Sequence, residues 1–265
     1  MILFAIIPLI LILYITITIQ SNHAFICKKF IEGNCIVVGK KGKGKDLFFN
    51  QVINKRKSKC ASNIQYNPAY CQKKPLSYLK LKNEVGEELK YSDFLRGNFK
   101  PTEKKLDECK DYYISDCGVF LPSQCQAELC KDYPSLPITY ALSRHLARMN
   151  IHANSQALNR IWDKLREQAD SYFIIRKSIN FGFFFLQKVT FYDDYNRCLQ
   201  NLRPFKNNKL LSSKENKALY ENYTAQNGLI KNMWTIQLKR NIKYDTREFH
   251  KIIYGEQAPL TGKKA

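Results

Sequence analysis

Apolar and polar positions alternate along this chain in blocks that define its elements. Met1 to Ile19 carries no charged side chain, and its centre, Ile2 to Tyr14, is almost wholly apolar. About 20 such residues in a helix span the hydrocarbon core of a bilayer. A cleaved signal peptide is the competing reading. It calls for a basic start and a small-x-small cleavage site; nothing basic precedes the apolar run except the amino terminus, and Gln20 to Phe25 is a poor cleavage site. The pattern therefore predicts an uncleaved membrane helix over residues 1–20. Lys28, Lys29 and the lysines at 40, 41, 43 and 45 follow it. Basic flanks stay on the cytoplasmic side, so the N-terminus is expected outside and the bulk of the chain inside.

Beyond this segment the periodicity changes repeatedly. Asn34–Val38 is a short β-branched run that reads as a buried strand, and Leu47–Ile53 has helical apolar spacing. Lys55–Lys59 is a basic cluster closing that helix, either solvated or facing a polyanion. Asn63–Pro75 reads as loop, and Lys80–Asp107 as polar connections with a short helix. Tyr112–Asp116 is a second strand ending in a carboxylate. Leu136–Met149 is an amphipathic helix, and Asn150–Gln156 a strand with a polar end. Asn159–Asp170 has helical spacing, whereas Ser171–Lys177 and Phe183–Tyr192 are aromatic strands. Their rings suit a core first and a base-stacking platform second. Strands separated by helical crossovers predict an α/β fold, a parallel sheet flanked by helices. The expected organisation is a membrane helix over 1–20, the α/β domain over 21–200, and a helical C-terminal extension over 201–265.

Composition narrows the class. The chain has 265 residues, 45% of them hydrophobic, with only 11 Gly and 9 Pro, so it is neither collagen-like nor largely disordered. Lys plus Arg number 43 against 23 acids, a formal charge of +20. That surplus points to a polyanion: nucleic acid, an anionic membrane face or nucleotide phosphates. The nine cysteines include no CxxC pair and no zinc spacing. Cys60/Cys71 and Cys125/Cys130 have spacings that would bridge in an oxidising compartment; a cytoplasmic domain keeps them as thiols.

The candidate chemistry lies between the first strand and the first helix. Gly39-Lys40-Lys41-Gly42-Lys43-Gly44-Lys45-Asp46 fits the G-x-x-x-x-G-K pattern of a phosphate loop. Glycines let successive N–H groups converge on one anion, the helix N-terminus adds positive potential, and Lys45 reaches the β/γ-phosphates. The expected cofactors are ATP and Mg²⁺. Asp46 stands where the motif has the Ser or Thr that ligates Mg²⁺. Asp116 is the second candidate metal ligand, as the carboxylate ending a parallel strand. Cys117 follows it, where a Glu often polarises the attacking water. Ser115, Asp111 and Glu128 are the neighbouring candidates for a base. Gln156, an amide at a strand end, is a candidate to orient a water near a γ-phosphate; the alternative is a satisfied loop amide.

Together these pieces resemble the zonular-occludens-toxin-like family, P-loop ATPases of filamentous phages that act in virion assembly and extrusion. The resemblance covers roughly Cys35 to Asp194. It rests on the order of parts: the loop Gly39–Asp46, the Asp116 strand, the Arg144-His145 pair in a helix, and the strand ending at Gln156. Gly118–Ser123 resembles the segment that follows the family's acidic pair. Asp46 and Cys117 depart from the family pattern at the metal and water positions. The membrane helix departs in place, because family members commonly carry it after the ATPase domain. The resemblance implies a membrane-anchored ATPase working as a homo-oligomeric ring in the host inner membrane. Its partners would be phage single-stranded DNA or virion and assembly proteins. It further implies Asp116 on Mg²⁺, Gln156 sensing the γ-phosphate, and Arg144 acting on a neighbouring subunit's nucleotide. The alternative is a non-hydrolysing, membrane-tethered nucleic-acid-binding or scaffold protein derived from such an ATPase. A secreted, toxin-like protein is a third reading, which the poor cleavage site disfavours.

Overall fold

The β-branched and aromatic runs pair into one eight-stranded sheet in the computed structural model of the chain, which describes residues 2–81, 87, 88, 90, 109–141, 149–195, 198, 212–215, 218 and 231–242. The strands are β1 (Cys35–Val38), β2 (Cys60–Ser62), β3 (Cys71–Lys73), β4 (Asp111–Ile114), β5 (Asn150–Ser155), β6 (Ser171–Asn180), β7 (Phe184–Tyr192) and β8 (Lys231–Leu238). Their spatial order is β3-β2-β4-β5-β1-β6-β7-β8. The first six run parallel to one another, while β7 and β8 add on as antiparallel strands. The strand beginning the glycine loop, β1, and the strand leading to Asp116, β4, flank β5. All three expected parallel strands are present.

Parallel strands buried on both faces need apolar side chains on both, and the sheet has two cores. One face packs Ile36, Tyr112, Ile151 and Tyr172 against Leu121, Leu136, Trp162 and Leu165. The other packs Val37, Tyr113, Phe173 and Val189 under helices α1 (Ile2–Glu32) and α2 (Lys45–Arg56).

Helix α1 has two halves of different chemistry. Its first half exposes Ile7 and Leu9 to Tyr14, whereas Asn22, His23, Ile26 and Phe30 are buried on the sheet. The helix does not stop near residue 20; Phe30 packs on Phe48, Tyr113, His152 and Phe173 and carries it to Glu32. Among the described residues α1 is the helix long and apolar enough to cross a membrane.

A buried ion pair fixes the opposite end of the domain from the glycine loop. Arg56 Nη1 lies 2.7 Å from Asp111, itself fully buried, and also donates to the carbonyl of Phe30. His152 faces the same carboxylate through Nε2 at 3.2 Å, while its Nδ1 accepts the N–H of Cys35. Burial lowers the His152 pKa, so the ring is neutral there. Arg56 is thus not part of a solvated helix end, and Asp111 is no base for the loop, since it begins β4 and the loop faces the strand's other end.

Several expectations are corrected. Asn159–Asp170 is not one helix: a 3₁₀ turn at Leu158–Arg160 and a single turn at Asp163–Arg166 flank extended residues. Ile161 bridges to Pro122, and the Trp162 N–H donates to the carbonyl of Leu121, so the apolar residues pin a connection instead of striping a helix. The Asn63–Pro75 stretch is not all loop, because Cys71–Lys73 pairs with β2. In the C-terminal stretch expected to be helical, Lys231–Leu238 is a strand hydrogen-bonded to β7. The 136–149 helix is seen over Leu136–Ala141. Arg144 and His145 lie outside the described residues. Cys60 and Cys71 oppose each other in register as buried free thiols, and Cys125 and Cys130 are free as well.

Candidate phosphate-loop site

The site forms where β1, β4 and β5 end. After Val38 the chain makes a tight turn, closed by the Lys43 N–H donating to the Lys40 carbonyl, and enters α2 at Lys45. Gly44 holds φ +74°, a conformation L side chains rarely adopt, and a Cβ there would lie 2.8 Å from Gln187 Nε2. Gly42 also has positive φ, with open space around it. The backbone therefore curls as a phosphate loop requires. Lys40 and Lys41 are exposed, whereas Lys45 is only 7% exposed and its Nζ lies 3.7 Å from Asp116 Oδ1.

Behind Lys45 lies a polar hub. Asp46 Oδ1 accepts from Tyr66 Oη at 2.9 Å, from Asn154 Nδ2 at 2.9 Å, and from Ser115 Oγ. Asn154 Oδ1 in turn accepts the backbone N–H of Asp116 at 2.8 Å. Asn63 fixes the Ser115 backbone from both sides, donating to its carbonyl and accepting its N–H. Asp116 sits at φ +45°, which turns its carboxylate toward Lys45. Burial raises the Asp116 pKa above the usual carboxylate value, the charge of Asp46 adds to the rise, and Lys45 opposes it.

The expected residues thus divide. Gly39 to Asp46 and Asp116 come together at one end of the sheet. Gln156 lies outside this hub, accepting from Arg160 at the rim of a neighbouring cleft of about 490 Å³. That cleft runs along Gly39, Lys40 and Lys43 and is walled by Leu158, Ile174 and Ile175. Cys117 does not face the loop; its thiol is fully buried in the core, and burial followed by the Asp116 charge pushes its pKa up to about 12. Glu128 lies beside Cys125.

Two site residues were not legible in advance. Asn154 is the β5 amide that reaches the hub, two residues before Gln156. Gln187, on β7, donates to the carbonyls of Lys43 at 3.1 Å and Gly44 at 2.9 Å and so braces the loop. A buried amide inside an aromatic strand was the signal for Gln187.

The arrangement fits a nucleotide with a divalent cation. Glycines at positive φ make the cradle, and the cleft has apolar walls beside it. Burial and the neighbouring Asp46 charge raise the cost of ionising Asp116, a cost that a cation relieves.

No family model matches the chain, and no curated protein matches it. Among solved structures it is similar to the N-terminal domain of zonular occludens toxin from Neisseria meningitidis, at 13% identity and TM-score 0.40, covering 82% of this chain and 97% of that one. It is also similar to the genome packaging NTPase B204 from Sulfolobus turreted icosahedral virus 2 in complex with AMP, at 14% identity and TM-score 0.33 over 54% and 74% of the two chains. The Legionella pneumophila ATPase DotB matches at 9% identity and TM-score 0.31, over 84% and 61%. The chain's own strand order and glycine loop make it an α/β protein of P-loop NTPase-like fold.

Proposed function

We propose that the chain is a membrane-anchored, P-loop ATPase-like protein acting in filamentous-phage virion assembly or DNA extrusion. The observation carrying nucleotide binding is the Gly39–Lys45 loop, with Gly44 at positive φ and Lys45 held beside Asp116 at the end of the parallel strands. The phage role rests on the order of motifs along the sequence. Anchoring rests on the uncharged, exposed first half of α1.

In this reading the loop N–H groups bind the phosphates, and Lys45 exchanges Asp116 for a phosphate oxygen. Asp46 and Asp116 would hold Mg²⁺, which would supply charge neutralisation to the bound phosphates. Asn154 and Ser115 fix the Asp46 carboxylate. Gln156 would meet the nucleotide from the cleft rim, and Arg144 is proposed to act across a subunit boundary in a homo-oligomeric ring.

A second reading is favoured by a specific observation. Cys117 is buried in the core and Asp111 is locked to Arg56, so neither offers a base for the attacking water. A protein that binds ATP without turning it over, as a tethered nucleic-acid-binding or scaffold protein, fits that feature. Binding of a fluorescent ATP analogue and phosphate release by the full chain in nanodiscs, with and without single-stranded DNA, separates the two. Saturable binding without release selects the second reading; no saturable binding overturns both. Resistance of the full chain to carbonate extraction tests the anchor.

A further inference from the structure

Strands β6, β7 and β8 form a ribbon whose charge has one sign. Segments 171–192 and 231–241 hold Arg176, Lys177, Lys188, Lys231, Lys239 and Arg240, and no Asp or Glu. The ribbon also overhangs the rest of the sheet. Val38, the last residue of β1, pairs with Ile174, and β6 continues to Asn180, so its tip stands about 20 Å beyond the phosphate-loop strand.

At that tip the chain turns through Phe181, Gly182 and Phe183, with Gly182 at φ +81°. Phe183 is 71% exposed and Phe181 is 47% exposed, and Phe181 stacks on Phe184 with ring centroids 4.8 Å apart. Trp234, 38% exposed, lies further down on β8 as the register partner of Lys188, whose Nζ sits 6.0 Å from its ring. Lys239 Nζ lies 5.5 Å from the Phe185 ring. Exposed ring faces interleaved with cations match a ligand that alternates flat apolar groups with negative charges.

We propose that the β6–β8 ribbon binds single-stranded nucleic acid, with bases stacking on Phe181, Phe183 and Trp234 and the phosphates meeting the cations around them. A duplex has its base faces already stacked, so it would use the cations but not the rings. An anionic bilayer is less well matched by the geometry. Helix α1 touches β8 at Asn22, β7 at Phe25 and β6 at Phe30, so it crosses the strands, and a bilayer around its upstream half lies off the β8 edge. The tip projects along the strand direction instead. This inference gives the DNA partner of the proposed function a place, yet no loop residue belongs to it, and it survives failure of nucleotide binding.

The test uses the full chain in neutral-lipid nanodiscs and a fluorescein-labelled oligodeoxythymidylate about 20 nucleotides long, followed by anisotropy at low salt. Phe181→Ala with Phe183→Ala should weaken binding about tenfold or more. Lys188→Ala with Arg240→Ala should weaken it and flatten its salt dependence. Binding should quench Trp234 fluorescence, a signal that Trp234→Phe removes, since Trp162 is fully buried. Lys45→Ala should leave oligonucleotide affinity unchanged, which separates this site from the nucleotide loop. Thermal melting confirms that the surface variants fold. Unchanged affinity in both double variants overturns the proposal. So does a duplex bound as tightly as the single strand with no effect of the Phe changes. Loss of binding to phosphatidylserine vesicles in the Phe variants with oligonucleotide binding intact would also overturn it, assigning the tip to lipid.

Discussion

The Ser115 hydroxyl donates to the Asp46 carboxylate across the gap between the first turn of α2 and the end of β4. A phosphate loop ordinarily puts the hydroxyl on the helix and the carboxylate on the strand. Here the two partners are present with their places exchanged. Asp46, a departure from the motif when read along the sequence, is one half of an intact pair once the strands are assembled.

Exchanging the pair back is therefore informative. Asp46→Ser and Ser115→Asp should each weaken Mg²⁺-dependent binding of a fluorescent ATP analogue, by about tenfold, since each leaves two like groups facing each other. The double variant should recover most of the affinity. A double variant as weak as the worse single one would show that the two residues do not act as a pair.

Within the loop, Lys45→Ala should lower nucleotide affinity about tenfold to a hundredfold, as expected for a lost charge-assisted phosphate contact. Lys41→Ala should change it little, because Lys41 is exposed. Equal effects on titration would reduce the loop to a basic turn.

Gly44→Ala should cost about 1–2 kcal/mol of stability, from the positive φ and from the approach of Gln187. Gln187→Ala in the same background should relieve the contact but not the backbone strain. Urea denaturation of the single and double variants reads both contributions.

Cys117→Glu, which on sequence grounds restores a missing water-polarising residue, should instead destabilise the fold by several kcal/mol, because it places a carboxylate in the core. Cys117→Ala should be much milder. A melting temperature for Cys117→Glu equal to that of the parent would place residue 117 at the loop after all.

Acid should weaken the fold through two histidines. Burial lowers His152, and burial, helped by the nearby Lys55, lowers His23 to about 4. Below pH 6.5 the unfolded chain takes up protons that the folded one refuses, so this stability is complete above pH 6.5 and lost as pH falls. His23 alone accounts for up to about 3 kcal/mol by pH 4. Unfolding free energies at pH 7.5 and 5 should differ in this sense, and His23→Gln should shrink the difference.

The elements legible in the sequence were those whose residues explain themselves locally. Cys35–Val38, the glycines and the apolar spacing of Leu47–Ile53 needed no distant partner to be read as strand, loop and helix. Asn154 and Gln187 were hidden because their roles come from chain crossings: β5 inserts between β1 and β4, and β7 folds back beside the loop. Strand β8 was hidden for another reason. Met233, Thr235 and Gln237 share a buried face with mixed polarity, so no clean alternation marks it. The helical spacing of Leu158, Ile161, Trp162 and Leu165 misled because those side chains plug the core from an irregular connection.

Helix α1 passes without interruption from its exposed apolar half into the domain core. With the first half held in a bilayer, the domain is mounted on a stiff axle and not on a leash. Each residue inserted near Gln20 would turn the head by about 100° and lift it by about 1.5 Å. In the proposed ring, the direction in which the phosphate loop would face its neighbours would then be set by helix phase, and single-residue insertions and deletions would act as a dial on subunit orientation while leaving every contact inside the domain untouched.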